Sequence, residues 1–324
     1  KGILFWRSLT HWLGGMGIIL LSMAILPMLG VGGMQLYRAE VPGPVPDRLK
    51  PRIRETAKTL WMVYVLISFL EVVFLLIGGM SVFDAICHTF GTMATGGFST
   101  QNASIGHYES AYIEGVITVF MIAAGANFAL HYQFLQGNPR RYLQDREFRF
   151  YLFAILMTTA GVALFLRTGT YEAWTESVRY AVFQVSSILT TTGYTTADYE
   201  QWPLVVQYTL FALMFFGGCA GSTGGSVKCI RILLLLKQAY KEIYRLIHPQ
   251  AVATIKLGKK TVPPDVMESV LGFSLVYVGI FVGASFLMSW LGLDFKSALA
   301  SVGACIGNVG PGLGIVGPTK TYLS

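Results

Sequence analysis

The sequence predicts an all-α polytopic membrane protein, on three observations. The chain of 324 residues is 53% apolar and only 13% charged, with a mean hydropathy of +0.56, whereas a soluble domain carries about 25% charged residues. Strongly apolar stretches recur at 12–34, 60–80, 112–134, 150–166, 203–216 and 266–291, and a bilayer crossing takes about 20 such residues. The Lys and Arg residues, finally, are gathered between these stretches and nearly absent elsewhere.

That gathering sets the orientation. Basic residues cluster at 38–58 (Arg38, Arg48, Lys50, Arg52, Arg54 and Lys58, around the helix-breaking "VPGPVP"), in "NPRRYLQDREFR" at 138–149, and at 228–260. The last segment holds Lys228, Arg231, Lys237, Lys241, Arg245, Lys256, Lys259 and Lys260. Residues 81–111 contain no Lys or Arg, and 168–202 contain only Arg179. Lys/Arg-rich loops stay cytoplasmic, so the three basic segments face inward and the Gly/Thr-rich ones outward. Topology thus accounts for the net charge of +7 without nucleic acid. A cytoplasmic partner could also use these charges.

Each element then takes its place. The stretch 12–34 descends, 60–80 rises and 112–134 returns; 150–166 rises, 203–216 returns and 266–291 rises again. Each rising segment leads into an external segment of one internal order. A short amphipathic stretch, 82–90, precedes "MATGGFST"; 173–185 precedes "TTTGYTT"; 295–304 precedes "GNVGPGLG". This is a repeat of spanning helix, half-helix, Gly-centred loop and spanning helix, and repeats govern the fold.

Non-helical backbone at membrane depth is tolerated only where protein buries it or water lines it. A half-helix followed by a Thr/Gly loop suits a filter whose carbonyl oxygens replace an ion's hydration shell. Glycine supplies the φ > 0 conformations that aim such carbonyls, and oxygen ligands suit hard cations. One such cluster reads as an external turn; three at matched positions favour the filter. Asp84, Glu109, Glu172, Glu176, Asp198 and Glu200 could attract cations, although most read as solvated charges.

"FFGGCAGSTGGSVKCIR", 215–231, interrupts the stretch that begins at 203. Broken helices expose backbone groups to ions, while small residues also permit close helix packing; both readings stand. It is no Walker A loop, because Val precedes Lys228 and Cys follows it. Asn127 and His131, four apart on one helix face, read as interhelical hydrogen-bonding groups. Glu71, inside a span, reads as a structural acid without a named partner. Cys87, Cys219, Cys229 and Cys305 show neither metal nor disulfide spacing and read as small buried residues. An enzyme is not expected, for the chain holds no HExxH, no GxSxG and no paired in-span aspartates. "KGILFWRSLTHWLGGMG" is not a signal peptide, and since the chain opens on Lys an upstream part is expected.

In combination "MATGGFST", "TTTGYTT", "GNVGPG", "FWRSLTHWLGGMGIILLSMAILPMLGVGGMQLYRAE" and "GGCAGSTGGSVK" resemble the TrkH potassium-uptake subunits of the Trk/Ktr/HKT cation transporter superfamily. The resemblance implies repeats of outer helix, pore half-helix, filter loop and inner helix around a pseudo-fourfold pore, with the first and last repeats incomplete here. On that scheme 1–50 is the first inner helix and a cytoplasmic loop, and 51–138 the second repeat. Residues 139–260 form the third repeat with its Gly-rich loop, and 261–324 the fourth without its inner helix. The resemblance also implies that Gly96, Gly193 and Gly310 are filter glycines. Thr95, Thr192 and Val309 would offer carbonyls, Asn308 would precede the last of these, and Gly97 and Tyr194 would shape the outer end. K⁺ would sit at Thr95, Gly96, Thr192, Gly193, Val309 and Gly310. Gly217, Gly218, Gly221, Ser222, Thr223, Gly224, Gly225 and Lys228 would form an intramembrane gate, with Lys228 either a cationic barrier or a snorkelling lysine. A channel-like potassium pore in the bacterial inner membrane follows, with K⁺ as permeating ion and no bound cofactor. Its implied partners are a second copy, a cytosolic nucleotide-binding subunit of the TrkA type and membrane lipid. Alternating-access K⁺/H⁺ or K⁺/Na⁺ symport is the alternative.

Overall fold

The computed structural model describes residues 1–20, 53–251, 253–258 and 260–320. The stretch 21–34, the "VPGPVP" segment, Arg38, Arg48, Lys50, Arg52 and Lys259 lie outside them.

Helix α1 covers Gly2–Leu20, so the first helix begins ahead of the expected 12. Helix α2, Ile53–Ile77, is the first complete rising span. A turn through Gly79 leads to the half-helix α3, Val82–Met93, where the Ser81 hydroxyl accepts the Asp84 N–H. That bond satisfies one of the donors a helix start leaves open.

The returning stretch 112–134 is not one helix. It divides into α4, Ala111–Ala124, and α5, Phe128–Leu135, bent by 102° to each other. Gly125 closes α4, and the Asn127 side chain caps α5 by accepting the Ala129 N–H at 2.8 Å. Asn127 therefore serves its own backbone and shares no helix face with His131. His131 heals the break from the other side. Its Nε2 donates to the Ala123 carbonyl at 2.9 Å, and its Nδ1 faces the Tyr142 hydroxyl.

A short α6, Arg140–Gln144, leads to α7, Arg146–Gly169, capped by Asp145. The half-helix α8, Trp174–Leu189, follows, and α9 runs only over Leu204–Leu213, ending three residues before the expected stretch does. Beyond it the backbone is non-helical until α10, Cys229–Ile247. The third basic segment is thus not a plain loop: most of it is this amphipathic helix, followed by a hairpin pairing Lys256–Leu257 with Lys260–Thr261. Helix α11, Pro264–Trp290, starts with proline in its first turn, where a missing N–H costs nothing. The half-helix α12, Phe295–Ile306, is capped by Asp294.

Helices α2, α7 and α11 are long and apolar enough to cross a bilayer, and α4 with α5 makes a bent fourth segment. Among the described residues the largest core joins α7, α8, α9 and α12 through Tyr151, Ile155, Leu166, Val185, Leu210 and Ala304. Arg179, the lone Lys or Arg of residues 168–202, reaches back to the buried Glu114 on α4 at 3.0 Å. Cys87, Cys219 and Cys229 are buried as expected, but Cys305 is exposed. Glu71 is fully buried beside Thr92.

Candidate functional site

The three half-helices end alike. Ala94, Thr190 and Gly307 are their last right-handed residues. The next residue turns left-handed in each: Thr95 at φ 51°, Thr191 at 61° and Asn308 at 54°. Its N–H donates three residues back, to Thr92, Ile188 and Cys305, at 2.9, 3.0 and 3.1 Å. The following N–H, of Gly96, Thr192 and Val309, donates five residues back to Gly91, Ser187 and Ala304 at 2.7, 2.9 and 2.8 Å. These paired bonds are the Schellman closure of a helix. Glycine usually takes the left-handed position, so a β-branched residue there is an outlier. Two threonines held in that conformation store strain of the kind that collects at functional sites.

A second positive φ follows at Gly97, Gly193 and Gly310, at 66°, 85° and 103°. This pattern corrects the register of the first loop by one residue. Gly97, not Gly96, is the counterpart of Gly193 and Gly310. Gly96 matches Thr192 and Val309, and Thr95 matches Thr191 and Asn308. "TGGF" offers two adjacent glycines, and only the backbone conformation tells them apart.

The loops also touch in order. A Cβ at Gly97 would overlap the Thr192 carbonyl oxygen, and one at Gly193 would overlap that of Val309. The carbonyls of the matched position are therefore turned toward the neighbouring loop, where the three loops converge. The Tyr194 carbonyl is not among them, since it accepts from Ser187 Oγ at 2.6 Å and Gln184 Nε2 at 3.3 Å. Its buried ring runs back between the repeats, and its hydroxyl donates to the His88 carbonyl at 3.0 Å. Tyr194 braces two half-helices instead of lining an outer rim. On the outer side Asp84 accepts from Thr100 and Ser81 hydroxyls at 2.6 and 2.7 Å. Burial would raise this carboxyl, but those bonds outweigh it and hold the group below the usual carboxylate range. Glu200 likewise ties the last loop, accepting the Gly314 N–H at 2.6 Å.

The Gly-rich segment lies directly against the bases of these loops. Its neck is closed where the Gly217 N–H donates to the Val227 carbonyl at 2.8 Å. The Thr95 hydroxyl donates to the Thr223 carbonyl at 3.0 Å, Thr223 Oγ1 donates to the Met93 carbonyl at 3.0 Å, and the Gly225 N–H donates to Thr191 Oγ1 at 2.6 Å. Gly225 also abuts Gly307 and Asn308. The left-handed threonines thus aim their hydroxyls at this segment.

It is equally fastened to the bend between α4 and α5. The Cys219 N–H donates to the Gly125 carbonyl at 2.8 Å, and the Phe128 N–H to the Gly221 carbonyl at 3.1 Å. An added Cβ at Gly218 would sit 2.7 Å from the Gly125 oxygen. The glycines therefore permit close backbone approach as well as a break. Lys228 does not snorkel: it is buried, with Nζ turned back onto the Ser222 and Gly224 carbonyls. Glu147, at the start of α7, accepts the N–H groups of Ala220 at 2.7 Å and Ile230 at 3.1 Å through one oxygen. Sequence reasoning missed Thr191, Glu147 and the break at 125–127. Only the last had a local signal, a glycine followed two residues later by a helix-capping asparagine.

Spanning helices, half-helices and converging carbonyl-bearing loops define a multi-pass α-helical membrane protein of the transporter class. The family model TrkH, described as cation transport protein, matches residues 1–324, and the chain belongs to that family. It is 46% identical to the Trk system potassium uptake protein TrkH of Escherichia coli K12 over 99% of this chain and 67% of that protein. With Trk system potassium uptake protein TrkG of the same organism it shares 38% identity, over 97% of this chain and 65% of that protein. It is also similar to the crystal structure of the potassium transporter TrkH from Vibrio parahaemolyticus. There the TM-score is 0.87 and the identity 42%, covering 98% of this chain and 65% of that one. The chain thus spans about two thirds of the length of the relatives it matches. Family membership makes it a transport protein and not an enzyme.

Proposed function

We propose that this chain forms part of a potassium-uptake pore in the bacterial inner membrane. K⁺ is its cargo, and it needs no bound cofactor of its own. The observation that carries this reading is the triplicate loop geometry, in which the Thr192 and Val309 carbonyls lean on the preceding loop's glycine. Such a ring of oxygens can replace water around a desolvated cation. Gly96, Thr192 and Val309 are its carbonyl donors, Gly97, Gly193 and Gly310 the hinges that aim them, and Thr95, Thr191 and Asn308 the connection to what lies beneath. The segment 217–228 is the gate, with Lys228 pinning it closed. A TrkA-type cytosolic nucleotide-binding subunit controls it from the basic inner side, and the pore works as a homodimer, in keeping with the relatives' description as parts of a Trk system.

Substituting Gly193→Ser in the full-length protein tests the filter. The new side chain meets both a positive φ and the Val309 carbonyl, so K⁺ over Na⁺ discrimination in isotope flux should fall. Unchanged discrimination at normal expression removes Gly193 from the filter. Two interrupted returning helices, at 125–127 and 214–228, also suit alternating access. Uptake that follows a H⁺ or Na⁺ gradient in proteoliposomes would favour symport over channel-like permeation.

A further inference from the structure

On the basic side, two adjoining cavities share Arg146 and Lys237. One, of about 520 Å³, is lined by Arg146, Lys237, Lys241 and Lys256 together with Tyr240 and Tyr244. Among the described residues no carboxylate pairs with any of these four cations. The other, of about 480 Å³, runs down the flank of α7 past Arg149, Phe150, Phe153 and Leu156, with Leu233 of α10 opposite. The first is cationic, the second is mostly apolar beyond its three cations, and the two adjoin at Arg146 and Lys237. We infer that together they bind an anionic phospholipid, with the headgroup phosphate among the cations and an acyl chain along the groove.

Depth argues for a lipid over a soluble occupant. Helix α7 has 24 residues, about 36 Å at 1.5 Å per residue, against a hydrocarbon core of about 30 Å. Phe153 and Leu156 lie two to three turns in, beneath the headgroups, and both are exposed. No water-soluble partner reaches them there. Helix α10 supplies the second observation. Leu236, Tyr240, Ile243 and Ile247 are exposed at intervals of four, three and four, forming one apolar stripe beside Lys237 and Lys241. An apolar face bordered by lysines is how a helix lies in a membrane interface, and basic recesses on the inner side favour anionic headgroups.

The test uses the full-length protein in phosphatidylcholine nanodiscs doped with phosphatidylglycerol, with bound lipid read by native mass spectrometry. Phosphatidylglycerol should be retained over phosphatidylcholine, and Lys237→Gln and Lys256→Gln should each weaken retention about fivefold. Leu156→Trp, which fills the groove without touching charge, should weaken it as well. A photo-crosslinker at position 156 should capture phospholipid. Equal retention of phosphatidylcholine would overturn the inference. So would displacement by inorganic phosphate with no effect of Leu156→Trp, which would mark a free-anion site, or capture of a polypeptide at 156, which would mark a docking face.

Discussion

Glu147 is where the proposed gate can be loosened without touching it. One carboxyl oxygen accepts the N–H groups of Ala220, inside the Gly-rich segment, and of Ile230, just beyond it. Glu147→Ala removes that acceptor and leaves two donors unpaired wherever the segment stays seated. An unsatisfied buried N–H costs about 1–3 kcal/mol, so the seated state should lose about 3 kcal/mol in all. A displaced segment exposes the same donors to water and escapes much of that cost. The ratio of displaced to seated forms should therefore rise on the order of a hundredfold, at about 1.4 kcal/mol per tenfold. Glu147→Gln keeps an oxygen in place and should fall well short of this. The assay is K⁺ flux into proteoliposomes of full-length protein, with thermal melting run in parallel. Raised flux in Glu147→Ala, little change in Glu147→Gln and similar melting would support the reasoning. Wild-type flux from Glu147→Ala at normal expression would refute it.

The register correction predicts that Gly97→Ala abolishes K⁺ selectivity, because its Cβ meets the Thr192 carbonyl at positive φ, whereas Gly96→Ala, which meets only His11 at 3.1 Å, is milder; isotope flux separates the two. Tyr194→Phe removes one donor from the His88 carbonyl, which keeps the Thr92 hydroxyl at 2.9 Å, and should cost about 1 kcal/mol of stability, seen as a lower melting temperature with selectivity preserved. Asp84 has a lowered pKa, so its stabilisation is complete at neutral pH and is lost only as pH falls through that lowered value. Thr100→Val removes one of the bonds holding it down, so acid unfolding should begin at higher pH in a pH-resolved melt.

Spans and half-helices were legible because lipid leaves so little freedom. An apolar run bounded by basic loops has to cross, and Ser81 and Asp294 mark two half-helix starts in the sequence itself. Matching the three loops by their glycines set one register a residue away from the backbone pattern, since φ is not written in "TGGF". The bend at 125–127 left only one local signal, Gly125 and the capping Asn127, inside an otherwise apolar run that reads as a single helix. Amphipathic α10 was hidden by its charge, since Lys and Arg suggested a loop although its apolar residues keep helical spacing. Glu147 was out of reach for a different reason. Its first bond spans 73 residues of sequence, and nothing local distinguishes it from an ordinary first-turn acid.

The two interruptions, at 125–127 and 214–228, explain each other. Ending α4 at Ala124 leaves carbonyls without helical partners, at a depth where lipid offers none. Thr223 Oγ1 donates to the Ala124 carbonyl at 3.2 Å and the Cys219 N–H to that of Gly125 at 2.8 Å, while Phe128, first residue of α5, donates back to Gly221 at 3.1 Å. Each broken helix caps the other, so neither break is a separate defect. Moving the Gly-rich segment strips partners from the bend, from the hydroxyls of Thr95 and Thr191, and from Glu147 at the same time. These bonds therefore tend to make and break together, which favours two discrete arrangements over a graded one. A gate of that kind can be biased from any anchor. Glu147 is the anchor nearest the basic inner face, where Arg146, Lys237 and Lys241 also lie. On the proposed function, a ligand or subunit bound there would act on the proposed gate through the first turn of α7, without reaching the proposed filter.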